Sequence, residues 1–220
     1  MALVSFSRQE GSLGGQMARD VGVRLGYRLL DLDGLLQEAE AYGGLKSTAS
    51  ELYEKQPGLL ERLDRERRRY QTILRAVTYK VARQDNVVFL GRGTGMLVKE
   101  LSHGYQVLVV APFATRVERI MQTGTSSRPG QKSREEAEEI IRRADRERGG
   151  YIRYLFNLDW LDPRQYDLVL NTGSISPETG VDMVVKALEK LQLKPDQATL
   201  ARLDEMASTC HQEAEKMRRG

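Results

Sequence analysis

The chain has 220 residues, of which 40% are hydrophobic and 30% charged, and its 34 basic and 31 acidic residues leave a formal charge of +3. This length suits one domain with at most a small appendage, and the balanced charge argues against a dedicated nucleic-acid binder, which usually has a concentrated basic face. The one cysteine, Cys210, excludes an internal disulfide framework, and no apolar run approaches the roughly 18 residues of a membrane span. Together with an apolar strand predicted from residue 2 onwards, which leaves no room for a signal peptide, these features predict a cytoplasmic protein.

A glycine-rich loop follows this first predicted strand, at residues 2–6, and precedes a helix-patterned stretch at residues 16–25. Its small residues are Gly11, Ser12, Gly14 and Gly15. Glycines let the backbone curl around an anion, and the free N–H groups and dipole of the following helix favour negative charge. The order strand, loop, helix therefore predicts a phosphate site. The P-loop signature, however, ends in Gly-Lys-Ser/Thr, and this loop contains neither Lys nor Thr.

The next part of the chain completes a βαβ-length unit of about 30 residues. Tyr27–Asp31 predicts a second strand that ends on an acid. From Leu32 to Gln84 the pattern is helical, and Gly43-Gly44 and Pro57-Gly58 divide it into three segments. The last segment contains a basic run at residues 65–69, which is interpreted as a solvated helix face.

Three further apolar runs predict buried parallel strands. They cover residues 86–90, 105–110 and 167–170. Helices are predicted at residues 115–121, 133–154 and 177–191, the last with an N-cap serine followed by proline at the first helical position. The Gly/Ser/Thr-rich segment 123–133 is predicted to be a mobile loop. Strands that alternate with helices predict a three-layer α/β fold with a parallel sheet.

Lys194-Pro195-Asp196 marks the predicted end of that domain. Beyond it, apolar residues recur three and four positions apart: Leu200, Leu203, Ala207, Cys210, Ala214 and Met217. This narrow seam is shorter than the three to four heptads that indicate a coiled coil. Two interpretations stay open. The helix lies back on its own domain, or it contacts a second copy or another protein.

Several short motifs occur in order at the predicted strand ends and helices. They are Ser7-Arg8, Gly11-Ser12 with Gly14-Gly15, Leu30-Asp31, Gly91-Arg92-Gly93, Ala111-Pro112 with Arg116, Asp145-Arg146-Glu147-Arg148, and Tyr166–Thr172. Together they resemble the cytidylate kinase-like family of P-loop nucleotide kinases. The resemblance implies a P-loop NTPase fold with strand order 2-3-1-4-5, a kinase-like domain over residues 1–193, a lid at about 123–154, and a C-terminal helical extension over 194–220.

The same resemblance implies an activity: transfer of the γ-phosphoryl group of ATP, with Mg²⁺, to a nucleoside monophosphate or a related phosphorylated acceptor. Such a reaction needs positioning and charge neutralisation more than covalent help, and arginines match phosphate oxygens with forked donors. The expected cofactor-binding residues are Arg8, Gly11, Ser12, Gly14, Gly15 and Gln16. The expected catalytic residues are Arg92, Arg128, Arg146 and Arg148. Asp31 and Arg92 are expected to bind the acceptor, and no residue is assigned as a metal ligand.

The loop departs from the cytidylate kinase pattern. Aligned at residues 25–27, Gly14 stands where the phosphate-binding lysine belongs, and Gln16 stands where a threonine would hold Mg²⁺. Arg8, directly before the loop, is a candidate to replace the charge of the lysine. Arg146 and Arg148 lie two positions apart and so point in different directions on a straight helix. One of them is therefore expected to serve only in a surface pair, such as Arg148 with an acid on the same helix.

Other functions are weighed beside this one. A catalytically silent nucleotide-binding module would act on a protein partner, or within a homodimer, through the C-terminal seam. Nucleic-acid binding by the basic run at 65–69 is less favoured, because acids alternate with the basic residues and no aromatic platform accompanies them. His103 and His211 have no ligand-spaced partners and are predicted to lie at the surface.

Overall fold

The computed structural model describes residues 2–42, 44, 60–84, 86–125 and 129–219, apart from the side chains of 60–66 and 217–219. Arg128 and the break at Pro57-Gly58 lie outside the described residues. Within these ranges, parallel strands form one sheet: β1 (Leu3–Arg8), β2 (Arg28–Leu30), β3 (Val87–Leu90), β4 (Gly104–Val110) and β5 (Leu168–Asn171). Their order is β2-β3-β1-β4-β5, which confirms the predicted order 2-3-1-4-5.

The described helices alternate with the strands. They are α1 (Gly14–Leu25), α2 (Leu32–Ala39), α3 (Leu60–Ala82), α4 (Thr94–Val98), α5 (Phe113–Thr123), α6 (Arg134–Phe156), α7 (Pro177–Leu191) and α8 (Gln197–Arg219). Local sequence explains where two of them start. Ser133 and Glu136 form a reciprocal capping box before α6. Ser176 caps α7 with Pro177 at the first helical position, as predicted.

Helices cover both faces of the sheet, giving three layers. On one face, α1 and α7 pack against alternate strand residues, among them Val4, Phe6, Val88 and Val107. On the other face, α3, α4, α8 and the C-terminal half of α6 pack against the intervening residues, among them Leu3, Val87, Phe89 and Leu108. Successive strand residues point to opposite faces. A strand buried on both faces therefore reads as a continuous apolar run, which is why these strands were recognisable.

The C-terminal helix α8 lies along α3. Its seam residues Leu203, Cys210 and Ala214 are buried in the same core cluster as Leu74 of α3. The Arg83 side chain, just after α3, donates to Asp204 at 2.8 Å. The described part of the seam therefore packs against its own domain, which was the first of the two interpretations.

His103 corrects a prediction, because it is fully buried rather than at the surface. The short connection between α4 and β4 tucks against the start of β1, where the Leu3 N–H donates to the His103 carbonyl at 2.9 Å. The neighbouring Ser102 hydroxyl lies 2.8 Å from the Thr199 hydroxyl of α8, so the helix covers this connection. His211 is exposed, with its ring edge-on to Tyr42. Among the described helices, none has the length and apolar character required to cross a membrane.

Candidate functional site

A cleft opens where the chain leaves the carboxyl ends of β1 and β3 in opposite directions. β1 leads to α1 on one face of the sheet, and β3 leads to α4 on the other. Open α/β sheets bind ligands at such a switch point. The cleft has a volume of about 130 Å³. It is lined by Ser7, Arg8, Gly91, Arg92, Gly93, Arg148, Tyr151, Ile152 and Trp160.

The lining residues give the cleft a strong preference for anions. Arg8, Arg92 and Arg148 reach it from β1, the turn after β3, and α6 respectively. None of the described residues that line it is acidic. Pockets for whole small molecules measure roughly 300–1,000 Å³. The cleft therefore suits one phosphate group better than an entire nucleotide.

The turn Gly91-Arg92-Gly93 has an unusual backbone. All three residues are left-handed, with φ of 76°, 59° and 73°. For a residue with a Cβ this conformation costs roughly 1–2 kcal/mol. Such strain is found mainly at functional sites, where the surrounding structure enforces it. The arginine is therefore held in a backbone state that it would not adopt alone.

The two flanking glycines are required by close contacts as well as by φ. A Cβ on Gly91 would lie 2.1 Å from Nη1 of Arg8, whose guanidinium lies over this residue. A Cβ on Gly93 would lie 2.5 Å from Cε2 of Phe156 on α6. The Gly-Arg-Gly motif thus lets one arginine side chain project from a backbone packed tightly on both sides.

Arg148 joins α6 to the glycine-rich loop. Its Nη2 donates to Oε2 of Glu10 at 2.5 Å, and the two side chains are 19% and 23% exposed. Its Nη1 is buried and has no hydrogen-bond acceptor among the described residues. A buried donor left without an acceptor costs roughly 1–3 kcal/mol. Arg148 also lines the cleft, so its guanidinium lies beside the space that would receive a phosphate.

The glycine-rich loop is held from behind through its carbonyl groups. Arg119 Nη1 donates to the Gly11 carbonyl at 3.1 Å, and the Thr172 hydroxyl donates to the Ser12 carbonyl at 2.8 Å. Burial lowers the pKa of Arg119 from its ordinary value. At the start of α1, the N–H groups of residues 14–16 have no acceptor among the described residues. Free amides at a helix N-terminus suit an anion, so the backbone here fits the phosphates of a nucleotide.

Packing excludes a lysine side chain at Gly14. A Cβ there would lie 2.6 Å from the Arg8 Cβ and 2.8 Å from the Val109 Cβ. Gln16, which the family resemblance places where a threonine would hold Mg²⁺, has no hydroxyl group. Ser12 is fully buried and its hydroxyl donates to the Gln9 carbonyl. The described residues contain no group of three or more His, Cys, Asp or Glu suited to a metal.

Asp31 and Arg146, predicted to bind the acceptor and to act in catalysis, lie apart from the cleft. Asp31 is the N-cap of α2, where its Oδ1 accepts from the Gly34 N–H at 3.1 Å. Arg146 is exposed and does not line the cleft, whereas Arg148 does. The two arginines of the motif point in different directions, as their spacing predicted. The surface pair suggested for Arg148 is wrong, because its acidic partner is Glu10 of the loop rather than a residue of its own helix. Arg128 is not among the described residues.

Sequence reasoning missed several contacts that build the site. Arg116, noted only as part of a motif, is 4% exposed and binds both carboxylate oxygens of Asp145 at 3.0–3.1 Å, which ties α5 to α6. Arg119 follows it by three positions, on the same helix face, and this spacing was a usable signal. Glu10 was a second usable signal, because it is an acidic residue within a loop that was predicted to bind an anion. The positions of Tyr151 and Trp160 had no signal in the sequence.

The chain is similar to known sequences along most of its length. The sequence profile of the Cytidylate kinase-like family matches residues 3–174. The cytidylate kinase of Pyrococcus horikoshii is 32% identical over 142 residues, which span 64% of this chain and 66% of that protein, just under two thirds of its length. The cytidylate kinase of Archaeoglobus fulgidus is 25% identical over 194 residues, which span 88% of this chain and 98% of that protein.

Solved structures share the fold. An uncharacterized protein from Eubacterium ventriosum superposes with a TM-score of 0.66 at 17% identity, covering 86% of this chain and 99% of that chain. The shikimate kinase of Bacteroides thetaiotaomicron superposes with a TM-score of 0.51 at 16% identity, covering 86% and 98%. The architecture is that of a P-loop NTPase.

Proposed function

Because the chain belongs to the cytidylate kinase-like family, we propose that it transfers the γ-phosphoryl group of ATP to a nucleoside monophosphate or a related phosphorylated acceptor. One observation carries this proposal. Arg8, Arg92 and Arg148 converge on a phosphate-sized cleft at the switch point of the sheet, and no described acid lines it. The acceptor phosphate binds in this cleft.

Each of the three cleft arginines has a separate role, which follows from its position. Arg92, presented by the turn after β3, binds the acceptor phosphate. Arg148 holds the loop through Glu10 with one nitrogen and offers its buried Nη1 to the transferring group. Arg8 supplies the charge that a lysine gives in the P-loop signature. Since a charge-assisted hydrogen bond contributes roughly 1.5–3 kcal/mol and about 1.4 kcal/mol is tenfold in rate, the loss of such a contact would slow transfer about 10–100-fold without this replacement.

The donor side relies on the backbone. The N–H groups of Gly14, Gly15 and Gln16 and the dipole of α1 hold the triphosphate, and ATP supplies the phosphoryl group. Mg²⁺ usually keeps several water ligands and binds substrate phosphates, and no residue of the loop is assigned to it. Tyr151, Ile152 and Trp160 wall the cleft and exclude water, which protects the transferring group from hydrolysis.

The predicted lid, residues 123–154, is proposed to move only in its first part. The N-terminal half of α6 packs on α5 in a small separate cluster, formed by Val117, Ile120, Ala137 and Ile141. The C-terminal half, with Tyr151, Ile152 and Leu155, belongs to the main core. Closure over the donor would therefore bend near the middle of α6 and leave Tyr151 in place.

The test is incubation with ATP, Mg²⁺ and a panel of nucleoside monophosphates. We expect ADP to appear with one acceptor and to be absent without it. Arg92→Ala should lower kcat/KM for that acceptor at least 100-fold, whereas Arg142→Ala should leave it unchanged, because Arg142 is exposed and contacts Glu138 on its own helix and the Phe113 ring of α5, both outside the cleft. An equal loss in both variants would contradict the assigned role of Arg92.

The second candidate is a catalytically silent nucleotide-binding module. The exclusion of a side chain at Gly14 favours it, because the loop then lacks the lysine that contacts the donor phosphates in the signature. The seam proposed to reach a partner is largely buried against α3, so a homodimer or partner contact would need another surface. Tight ATP binding with no acceptor-dependent turnover across the panel would support this candidate over the kinase.

A further inference from the structure

The carbonyl group of Arg92 accepts a hydrogen bond from a tyrosine on α6. The donor is the Tyr151 hydroxyl, at 3.1 Å. Tyr151 is 6% exposed and lines the cleft. Its hydroxyl also lies 2.7 Å from the hydroxyl of Tyr70 on α3, which is fully buried, and the two rings meet edge to face. A chain of two hydroxyls thus ends on the backbone of the left-handed turn.

Hydrogen-bond chemistry fixes the direction of this chain. A carbonyl oxygen only accepts, so the single proton of Tyr151 goes to Arg92. The bond between the tyrosines is then made with the proton of Tyr70. Buried networks whose members are all satisfied hold one arrangement in preference to others. Tyr70 therefore orients Tyr151, and Tyr151 holds the turn.

The turn is a segment that needs such support. Arg92 is left-handed between two left-handed glycines, and the resulting strain is of the same order as the net contribution of one hydrogen bond. Arg148 precedes Tyr151 by three positions on α6, about one helical turn. The hydrogen bond from the Tyr151 hydroxyl therefore fixes the position of Arg92 relative to Arg148, which lies on the same helix as Tyr151.

We propose that Tyr151 is a positioning residue for Arg92. Its hydroxyl fixes the left-handed backbone from which the Arg92 side chain enters the cleft, and Tyr70 fixes the hydroxyl. The expected change in anion affinity rests on the proposed function, in which Arg92 binds a phosphate group. The expected change in the backbone of the turn does not depend on the proposed function.

The first test measures anion affinity. Trp160, the one tryptophan of the chain, lines the cleft and is 5% exposed, so its fluorescence can follow titration with inorganic phosphate and with pyrophosphate. We expect Tyr151→Phe to weaken binding about 5–10-fold and Tyr70→Phe to weaken it less. In an Arg92→Ala background, the added Tyr151→Phe change should have under about a twofold effect. Equal weakening in both backgrounds would overturn the proposal.

A matched control is available at Tyr27. Its hydroxyl also bonds a backbone group, accepting from the Ala2 N–H at 3.2 Å, but it lies away from the cleft. Tyr27→Phe removes an equivalent hydroxyl and should leave phosphate and pyrophosphate affinity unchanged. A loss of affinity in Tyr27→Phe equal to that in Tyr151→Phe would mean a general effect of hydroxyl removal, and would overturn the proposal.

The second test needs no ligand. The Thr94 N–H donates to the Gly91 carbonyl at 3.3 Å and closes the turn. We expect its hydrogen exchange to accelerate at least tenfold in Tyr151→Phe and to stay unchanged in Tyr27→Phe. Unchanged exchange in Tyr151→Phe would overturn the positioning role. Accelerated exchange in a protein whose wild type binds neither phosphate nor pyrophosphate would support that role and overturn the proposed function of the cleft.

Discussion

The guanidinium of Arg8 lies directly over the backbone of Gly91, so that a Cβ on Gly91 would fall 2.1 Å from Nη1. This contact joins the end of β1 to the turn after β3. It also aims Arg8 into the cleft rather than toward solvent. Arg8 can therefore occupy this position only because Gly91 has no side chain.

Gly91→Ala should displace Arg8 from the cleft. We expect phosphate affinity to fall at least tenfold and the free energy of unfolding to fall by more than the roughly 1–2 kcal/mol of a left-handed alanine. Gly26→Ala is the control, because Gly26 has φ of 67° and nothing within 4 Å of its Cβ position. Gly26→Ala should lose only the roughly 1–2 kcal/mol of unfolding free energy that a left-handed alanine costs, and its phosphate affinity should stay at the wild-type value. Denaturant titration and Trp160 fluorescence give the two measurements.

A lysine placed at Gly14 should not restore a standard P-loop. Its Cβ would meet Arg8 and Val109 within 2.8 Å, and overpacking of this kind costs about 1–3 kcal/mol. We expect Gly14→Lys to be less stable and to bind ATP no better than the wild type. Gly15→Ala meets only Arg19 Nη1, at 3.9 Å, and should be tolerated. Tighter ATP binding by Gly14→Lys would contradict the packing argument.

Asp31 should behave as a helix cap. Asp31→Ala removes the acceptor of the Gly34 N–H, and we expect a loss of about 1 kcal/mol in the free energy of unfolding. Asp31→Asn retains a capping oxygen and should keep most of that stability. If Asp31 binds the acceptor, as the family resemblance implies, Asp31→Asn will raise the acceptor KM while stability stays near wild type. Since the Asp31 carboxylate is engaged in the cap of α2, we expect the KM to change less than twofold.

Cys210 reports whether α8 leaves α3. It is 8% exposed, and burial raises the pKa of its thiol. We expect a thiol reagent at pH 8 to label native protein at least 100-fold more slowly than a free cysteine, since buried cysteines are inert. Leu203→Ala, at a fully buried seam position, should accelerate labelling, whereas Met183→Ala, exposed on α7, should not. Fast labelling of the wild type would show that the helix readily undocks.

The fold was predictable from sequence for an identifiable reason. A strand buried on both faces reads as one apolar run, so 105–110 was assigned close to the observed Gly104–Val110. Helix starts were marked by local chemistry, as at Ser133 and Ser176. The strand order is not local, and it came from the family resemblance.

The site was less predictable because its contacts join distant residues. Glu10 and Arg148 are 138 positions apart, and Arg116 and Asp145 are 29 apart. The motifs identified arginines, but they did not distinguish Arg148, which lines the cleft, from the exposed Arg146. The crowding at Gly14 arises from Arg8 at the end of β1 and from Val109 on β4, and no pattern in the loop itself reveals it.

Arg119 and Thr172 preorganise the glycine-rich loop for binding. Because they hold the carbonyls of Gly11 and Ser12 from behind, the loop is ordered when the chain folds rather than when a ligand arrives. Preorganisation of this kind removes an entropic penalty from association. The affinity of the loop for anions is then set chiefly by charge, and added salt weakens it through screening.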